Sequence, residues 1–230
     1  MRRSPTTRSS PTPGPSPSAR ADALTILVPR GAEAAAVRAA STGARVVAIA
    51  PGASSADAVA ALRAGDPVVV TGLCGALREL RAGDVVVYRD VRDDSLDATA
   101  CDATLTDSLT RALPHARTVR ALTVPRVVTT RGSREELAAR FDADVVDMEG
   151  AHVARALRAR QIPFAMLRVV SDDASRDLPP LEDAIGAGGV RPLRVAAAFV
   201  RRPVAALAFV RGVRRALRAL RETMRAFSAA

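Results

Sequence analysis

Short runs of β-branched and other apolar residues alternate along this chain with alanine- and arginine-rich stretches of helical periodicity. The run at 67–71 has no polar alternation, which is typical of a strand buried on both faces of a sheet. The pattern predicts strands at 24–28, 45–50, 67–71, 84–88, 118–124, 144–148 and 163–170, and helices at 32–41, 55–64, 102–113, 133–141 and 150–160. It therefore favours an α/β fold, a three-layer αβα arrangement with a mostly parallel central sheet.

Two of these helices carry N-terminal capping signals. Ser54 or Ser55 stands at the start of the second helix, where a hydroxyl can accept a hydrogen bond from the first turn. Ser133 is followed three residues later by Glu136, the spacing of a capping box. We therefore expect these serines to be the N-caps.

The two ends of the chain differ from its regular body. Residues 1–22 are rich in Ser, Pro, Thr and Arg and predict a disordered leader. Residues 23–190 form the predicted catalytic domain, which ends in a loop at 173–190. Residues 191–230 predict a basic amphipathic helical tail, whose apolar stripe contains Leu207, Val210, Val213, Leu217, Leu220, Met224 and Phe227.

Charge bears on what this tail binds. The chain has a net charge of +10, and residues 191–230 carry ten arginines and one glutamate, so the body is close to neutral. Because nucleic-acid enzymes more often place basic residues on the body among aromatic side chains, we predict no nucleic-acid partner. The tail instead favours an anionic membrane surface. The alternative is that its stripe packs on the domain or at a homodimer interface.

Two further features concern metals and location. Cys74 and Cys101 lack metal-ligand spacing and are too few for a disulfide framework. No apolar segment follows the N-terminal arginines as in a secretory signal, and no run approaches the ~20 apolar residues of a spanning helix. We therefore expect no metal site and a cytoplasmic protein that lies peripherally at the inner membrane surface.

Polar residues follow several apolar runs, at the strand ends where chemistry collects in parallel α/β sheets. They are Glu149 after the sixth predicted strand, Asp172 after the seventh, Gly72 and Gly75 after the third, and Glu33 after the first. Each has an ordinary alternative. Glu149 could simply complement a helix dipole, and Asp172 could form an Asx turn. Residues 72–75 could form a plain tight turn, and Glu33 could be a solvated charge on a helix.

Taken together, these groups suit the cleavage of an N-glycosidic bond. That reaction needs an acid that protonates the leaving base, an anion that stabilises the cationic sugar, and a nucleophile. A carboxyl group in a poorly hydrated pocket can have the raised pKa that such an acid requires. The sequence therefore predicts that Asp172, Glu149 and Glu33 meet in one cleft.

The motifs around these residues resemble a known family. Asp147-Met148-Glu149, then Pro163-Phe164, then 167–172 (LRVVSD) are similar to the signature of methylthioadenosine/adenosylhomocysteine nucleosidases and related purine nucleoside phosphorylases. Residues 72–77 (GLCGAL) and 83–87 (GDVVV) resemble a second motif of that family. The likeness covers about residues 24–190. It is tightest to the hopanoid-associated branch, through 178–180 (LPP) and 201–203 (RRP).

The resemblance implies roles for the three acids. Asp172 would protonate N7 of adenine, and Glu149 would accept hydrogen bonds from the ribose 2′- and 3′-hydroxyls. Glu33 would orient the attacking water. The branch implies that adenine is released from adenosylhopane, a step toward ribosyl-hopanoid lipids, and no cofactor is implied.

The resemblance also implies a set of substrate-binding residues. Met148 would pack against the ribose, and Ser171 and Arg168 would position Asp172 and Glu149. Gly72 and Gly75 would let the backbone approach the substrate. The segment 127–130, which includes Val128, would line the base pocket. His152 and Cys74 are expected to be structural, with Cys74 a small buried side chain.

One departure from the family concerns the nucleophile. Hexameric phosphorylases hold phosphate with a basic residue and a serine, whereas the corresponding places here are Val70 and Leu73. Apolar side chains bind phosphate poorly, which favours hydrolysis. Arg30 or backbone amides leave phosphate open as a co-substrate. Two other functions stay open: a nucleosidase or phosphorylase for soluble methylthioadenosine or adenosylhomocysteine, and a non-catalytic nucleoside-binding protein.

Overall fold

The computed structural model describes residues 24–95, 97–186 and 189–229, so the leader predicted at 1–22 lies outside the described residues. The strands are β1 (Thr25–Pro29), β2 (Arg45–Ile49), β3 (Val68–Ala76), β4 (Val85–Arg92), β5 (Thr99–Ala100), β6 (Arg117–Thr123), β7 (Val145–Asp147), β8 (Phe164–Asp172), β9 (Ile185–Gly186) and β10 (Gly189–Val190). The helices are α1 (Ala32–Arg38), a 3₁₀ helix (Gly52–Ala61), α2 (Ala103–Ala112), α3 (Arg131–Phe141), α4 (Gly150–Ala159), α5 (Pro192–Arg201) and α6 (Pro203–Ala229).

The first eight strands form one mixed sheet in the described part of the chain, in the order β2-β1-β3-β7-β6-β4-β5, with β8 bonded to both β3 and β4. The β1–β2, β1–β3, β3–β8, β4–β6 and β6–β7 pairs are parallel, whereas β3–β7, β4–β5 and β4–β8 are antiparallel. Because β8 bonds to both β3 and β4, strands β3, β7, β6, β4 and β8 close into a ring. This closure, which the periodicity of the sequence does not encode, is the main addition to the predicted architecture.

The side chains of each strand alternate between two apolar layers, one on either face of the sheet. In β1, Leu27 packs in one core cluster, while Ile26 and Val28 pack in the other; in β8, Met166 and Leu167 divide in the same way. Helix α4 covers the first layer, and α1 and α6 cover the second. Since both faces are covered, the strands carry apolar residues on both sides, as the sequence pattern predicted.

The C-terminal tail is part of this packing. Helix α6 lies along β8, and its Ala216, Leu220 and Met224 are fully buried against the sheet. The sequence favours a membrane surface for the apolar stripe of residues 207–227, with packing on the domain as the alternative. Its C-terminal half instead covers the sheet, because β8 would otherwise expose a face of Leu and Val side chains.

Several local expectations need correction. Strand β3 runs through residues 72–76, which we had interpreted as a turn, because it pairs with β8 on one side and β7 on the other along this stretch. The hydroxyl of Thr130, rather than Ser133, caps α3 by accepting a hydrogen bond from the Ser133 amide. The 3₁₀ helix begins after Pro51 without a side-chain cap, so neither Ser54 nor Ser55 is an N-cap. The predicted loop at 173–190 contains the β9–β10 pair.

Candidate active site

A cavity of about 610 Å³ opens where β1, β3, β7 and β8 end. Glu33 enters it from the first turn of α1, Glu149 from the junction of β7 and α4, and Asp172 from the last residue of β8. A cavity of this size suits a small ligand such as a nucleoside. The three carboxylates that the sequence singled out therefore share one cleft.

The strand pairing explains how Glu149 and Asp172 reach the same cavity. Strand β3 lies between the two strands that carry them: its Gly75 is opposite Val146 of β7 and opposite Asp172 of β8. Gly75 also makes room for the acid, because a Cβ atom there would lie 3.0 Å from Asp172 Oδ2 and 3.3 Å from Val146 Cγ1. This glycine lines the cavity, as predicted.

Asp172 is held by two side chains. Its Oδ1 lies 2.5 Å from Ser171 Oγ, and its Oδ2 accepts a hydrogen bond from Arg134 Nη2 at 2.6 Å. Ser171 Oγ is also 3.1 Å from the carbonyl oxygen of Cys74. A hydroxyl has a single proton, so Ser171 can donate to the Cys74 carbonyl while it accepts a hydrogen bond from a neutral Asp172, or donate to an ionised Asp172. Ser171 can thus accommodate Asp172 in both protonation states.

Arg134 is the largest addition to the predicted site. Its side chain is 1% exposed. Besides Asp172, it donates to the carbonyl oxygens of Val128 (3.1 Å from Nε and 2.9 Å from Nη2), Ala76 (3.2 Å) and Asp173 (2.8 Å). The planar guanidinium group thereby ties β3, the end of β8 and the segment before α3 together around the acid.

Glu149 is buried and faces the cavity. Its Oε1 accepts a hydrogen bond from the amide of Gly52 at 3.2 Å, at the start of the 3₁₀ helix. Burial raises the pKa of Glu149, and Asp147 adds to this, while the positive charge of Arg168 and the amides of Gly52 and Met148 oppose it. Met148, the residue before it, also lines the cavity.

Glu33 has the most perturbed carboxyl group on the cavity wall. Its Oε1 accepts a hydrogen bond from the amide of Leu73 at 2.6 Å. Burial raises the pKa of Glu33 from 4.5 to about 7, against the lowering effects of the Leu73 amide and Arg168, and Glu149 raises it further. A carboxyl group with this pKa changes its charge near neutral pH, as an effective general base does.

Arg168 does not line the cavity, although we had predicted it among the substrate-binding residues. It is fully buried beneath the floor, where Nη1 donates to the carbonyl oxygen of Thr71 at 3.3 Å and Nη2 lies 3.5 Å from Asp147 Oδ2. Burial acts to lower the pKa of Arg168, but the nearby carboxylates, Asp147 foremost and then Glu149 and Glu33, raise it above its usual range. It therefore acts as a fixed positive charge below the site.

Gly72 lies beside Arg168 and, like it, does not line the cavity. Its φ is +142°, and a Cβ atom there would lie 2.5 Å from Arg168 Nη1 and 2.7 Å from Glu33 Oε1. We had predicted Gly72 as a substrate-binding residue. The structure shows that it leaves space for the Glu33 carboxylate and the Arg168 guanidinium group.

A buried polar cluster behind the site was not predicted. Asp147 accepts hydrogen bonds from Thr123 Oγ1 at 2.6 Å, from Tyr88 at 3.2 Å and from the amide of Gly150 at 3.0 Å. These bonds fix the end of β7 and the start of α4, and therefore the backbone that carries Glu149. The motif at 147–149 marked this aspartate, but its partners come from β4 and β6, far away in the sequence.

The remaining predicted positions differ in their relation to the cavity. Val128 lines it, together with Val124, Val127 and Val146. Val70 is fully buried in the sheet and does not reach it, whereas Leu73 does. Cys74 is buried at its edge, and burial raises the pKa of its thiol far above the usual range. His152 does not line it, and its Nδ1 lies 3.3 Å from Arg155 Nη2. No group of metal-ligating side chains occurs among the described residues.

The fold of this chain is shared with known proteins. The chain matches the family model of the phosphorylase superfamily over residues 25–201. A 5′-methylthioadenosine/S-adenosylhomocysteine nucleosidase from Neisseria meningitidis, solved with methylthio-immucillin-A, has a TM-score of 0.68 at 17% identity over 90% of this chain and 99% of that chain. A futalosine hydrolase mutant from Helicobacter pylori has a TM-score of 0.63 at 14% identity over 87% of this chain and 97% of that chain. No curated protein sequence matches this one.

The fold is therefore the nucleoside phosphorylase-like α/β fold, in which a mixed sheet is covered by helices. The chain belongs to the phosphorylase superfamily and is an enzyme of that class. These findings confirm the fold and the family that the sequence predicted.

Proposed function

We propose that this enzyme cleaves the N-glycosidic bond of an adenosine-type nucleoside by hydrolysis. The observation that carries the proposal is the meeting of Asp172, Glu149 and Glu33 in one cavity. A non-catalytic nucleoside-binding protein would not need an acid, a second carboxylate and a near-neutral base around one ligand. The hydrolases among the solved structures of the same fold agree with this choice.

The three carboxyl groups have different surroundings, which suit different steps. Asp172, between Ser171 and Arg134, would give a proton to the departing purine. Glu149, fixed by the Gly52 amide above the charge of Arg168, would bind the ribose hydroxyls and stabilise the oxocarbenium-like transition state. Glu33 would take a proton from the attacking water, for which its pKa of about 7 is well matched.

Hydrolysis is favoured over phosphorolysis by the immediate surroundings of Glu33. The amide of Leu73, one backbone donor that a phosphate would need, already donates to the Glu33 carboxylate. A phosphate dianion in this part of the cavity would lie against Glu33 and Glu149. Arg30 and Arg126 do line the cavity, and they are the groups that would serve phosphate if it were the nucleophile.

The shape of the cavity bears on the identity of the nucleoside. Its wall includes the apolar side chains of Ile185, Val190, Phe209 and Val213, from β9, β10 and α6. Such a wall suits a large apolar 5′-substituent, so we propose adenosylhopane as the substrate, in line with the sequence likeness to the hopanoid-associated branch. A lipid-linked substrate would place the enzyme at the cytoplasmic surface of the membrane.

A second candidate is a soluble thioether nucleoside. It is favoured by the solved nucleosidase of the same fold that holds methylthio-immucillin-A. Both candidates use the same chemistry at the glycosidic bond and differ only in the group that the apolar wall must hold. Relative kcat/KM values for adenosylhopane and methylthioadenosine therefore separate them.

The test is chromatographic measurement of adenine release by the purified enzyme, with and without phosphate, for both nucleosides. Asp172→Asn should lower kcat by about 10² to 10⁴-fold. Asp173→Asn is the matched control, because the side chain of Asp173 bonds to Ser175 and does not line the cavity. Full activity of Asp172→Asn would refute the proposed mechanism. Adenine release that depends on phosphate would replace hydrolysis with phosphorolysis.

A further inference from the structure

The segment 190–207, where α5 meets α6, carries an unusual surface, and we call it the elbow. All the large apolar side chains that are exposed in the described part of the chain lie here. They are Val190, Leu193, Val200, Val204 and Leu207, with Leu193, Val200 and Val204 each more than 80% exposed. Clustered exposure of this kind marks an interaction surface rather than an ordinary solvated one.

The helical periodicity of α5 shows that this exposure is ordered. Leu193, Ala196, Ala197 and Val200 recur at spacings of three and four, and all four are exposed. The opposite side of α5 is also apolar, and there Ala198 and Phe199 pack with Leu181. A helix that is apolar on both sides is expected to be covered on both sides. In the chain as described, only the inner side of α5 is covered.

The charge around these side chains indicates what covers them. Arg191, Arg194, Arg201 and Arg202 are exposed on the elbow, and the sequence has no acidic residue from 184 to 221. Arg202 lies 3.5 Å from Asp177, and the other three make no ion pair among the described residues. Exposed apolar side chains bordered by arginine complement an anionic lipid surface, because the apolar groups enter the interface and the arginines pair with the headgroups.

We infer that the elbow is a docking surface for an anionic lipid bilayer. Val190, at its start, also lines the active-site cavity, so the surface is continuous with the mouth of the site. Docking here would turn the apolar wall of the cavity toward the acyl region of the bilayer. The inference extends the membrane location that the proposed function gives for a lipid-linked substrate, but docking requires no substrate and can be measured without catalysis. No helix among the described residues is long and apolar enough to cross a membrane.

Co-sedimentation with vesicles tests the inference. The full chain should bind vesicles of phosphatidylglycerol and phosphatidylcholine more tightly than vesicles of phosphatidylcholine alone. Leu193→Asp/Val200→Asp should weaken this binding by roughly tenfold or more. The matched control is Arg221→Gln/Arg225→Gln, which changes the net charge equally at exposed positions on the far half of α6 and should keep most of the binding. Deletion of α6 is unsuitable because it would uncover Leu220 and Met224.

A second measurement does not depend on the folding of the double variant. The chain has no tryptophan, so Leu193→Trp introduces a single fluorophore on the elbow. Its emission should shift to shorter wavelength when anionic vesicles are added, whereas Ala226→Trp, at an exposed position near the end of α6, should not respond.

Two results would overturn the inference. The first is a full chain that does not bind anionic vesicles, or binds them equally well with the elbow substituted. The second is a dimer, seen by analytical ultracentrifugation, that Leu193→Asp/Val200→Asp dissociates in the absence of any vesicle binding. That outcome would assign the elbow to a second copy of the chain. Loss of docking with normal turnover of a soluble nucleoside would leave the proposed function intact.

Discussion

Replacement of Arg134 by methionine tests how the proposed acid is held. The substitution keeps much of the side-chain volume but removes every hydrogen-bond donor from a group that is 1% exposed. It leaves the Asp172 carboxylate without its 2.6 Å partner and removes the guanidinium bonds to the carbonyl oxygens of Val128, Ala76 and Asp173. Removal of one partner of a buried ion pair destabilises a protein by about 3–5 kcal/mol. We therefore expect Arg134→Met to lower the free energy of unfolding by this amount.

The effect on catalysis should be larger on kcat than on KM, because Arg134 contacts the acid rather than the substrate in the proposed mechanism. We expect kcat to fall by about 10²-fold or more, because a misplaced acid loses some of the 10² to 10⁴-fold rate increase that general acid catalysis typically gives. Arg134→Lys should recover part of this loss, because it keeps the charge but not the planar fork. Urea unfolding and steady-state adenine release, measured across a range of pH, provide the readouts.

A double-mutant cycle separates a positioning role from a purely structural one. If Arg134 acts through Asp172, the losses in kcat from Arg134→Met and Asp172→Asn should be strongly non-additive. A folded Arg134→Met enzyme whose kcat and pH profile match the unsubstituted enzyme would refute the reasoning. Additive losses would show that Arg134 acts on the fold and not on the acid.

Three other predictions concern the floor of the site and its support. Glu33 must be ionised to accept a proton from water, so the rate should rise as pH increases through about 7, and Glu33→Gln should abolish that rise. Because the pKa of Glu33 is raised in the folded protein, its favourable contribution to stability is complete below 4.5 and is lost as pH rises through 7. Glu33→Gln removes this loss. The free energy of unfolding of the variant, measured with urea and taken relative to the unsubstituted enzyme, should therefore be higher at pH 8 than at pH 5 by up to about 3 kcal/mol. Gly72→Ala should destabilise the protein by about 1–3 kcal/mol, since its Cβ would press on Arg168, and an unchanged melting temperature would contradict this. Gly212→Ala should lower both stability and kcat, because a Cβ there would collide with the carbonyl oxygen of Ser171 where α6 crosses β8, and normal values of both would show that this contact relaxes freely.

Much of the site was predictable because the evidence for it is local in sequence. The apolar runs around residues 26, 69, 145 and 167 have the length and composition of buried strands, and β1, β3, β7 and β8 form there. Glu149 and Asp172 stand directly after or at the end of such runs, and Glu33 follows the first of them. Polar residues at strand ends are candidate site residues whatever the order of the strands, so these three acids could be identified from the sequence. Their meeting in one cavity depends on the pairing of β3 with β7 and β8.

The sequence could not reveal the groups that act through distant partners. Arg134 looks like an ordinary helical arginine, and its role becomes visible only when β3 and the end of β8, 58 and 38 residues away, are brought beside it. Arg168 and Gly72 belonged to recognisable motifs, but a motif does not show whether a side chain points into the cavity or beneath it. The pairing of β3 with β8 decided that Arg168 and Gly72 lie beneath the cavity.

The amino-acid sequence by itself determined where the main strands and helices lie, which side of each helix is apolar and which acids stand at strand ends, because these depend on periodicity and neighbours along the chain. Tertiary structure alone decided what covers each apolar side. The stripe of α6 is one continuous pattern in the sequence, yet Leu220 and Met224 are buried on β8 while Leu207 remains exposed. The physical reason is that burial depends on the surface that a helix meets, and that surface is formed by strands more than 30 residues away in the chain.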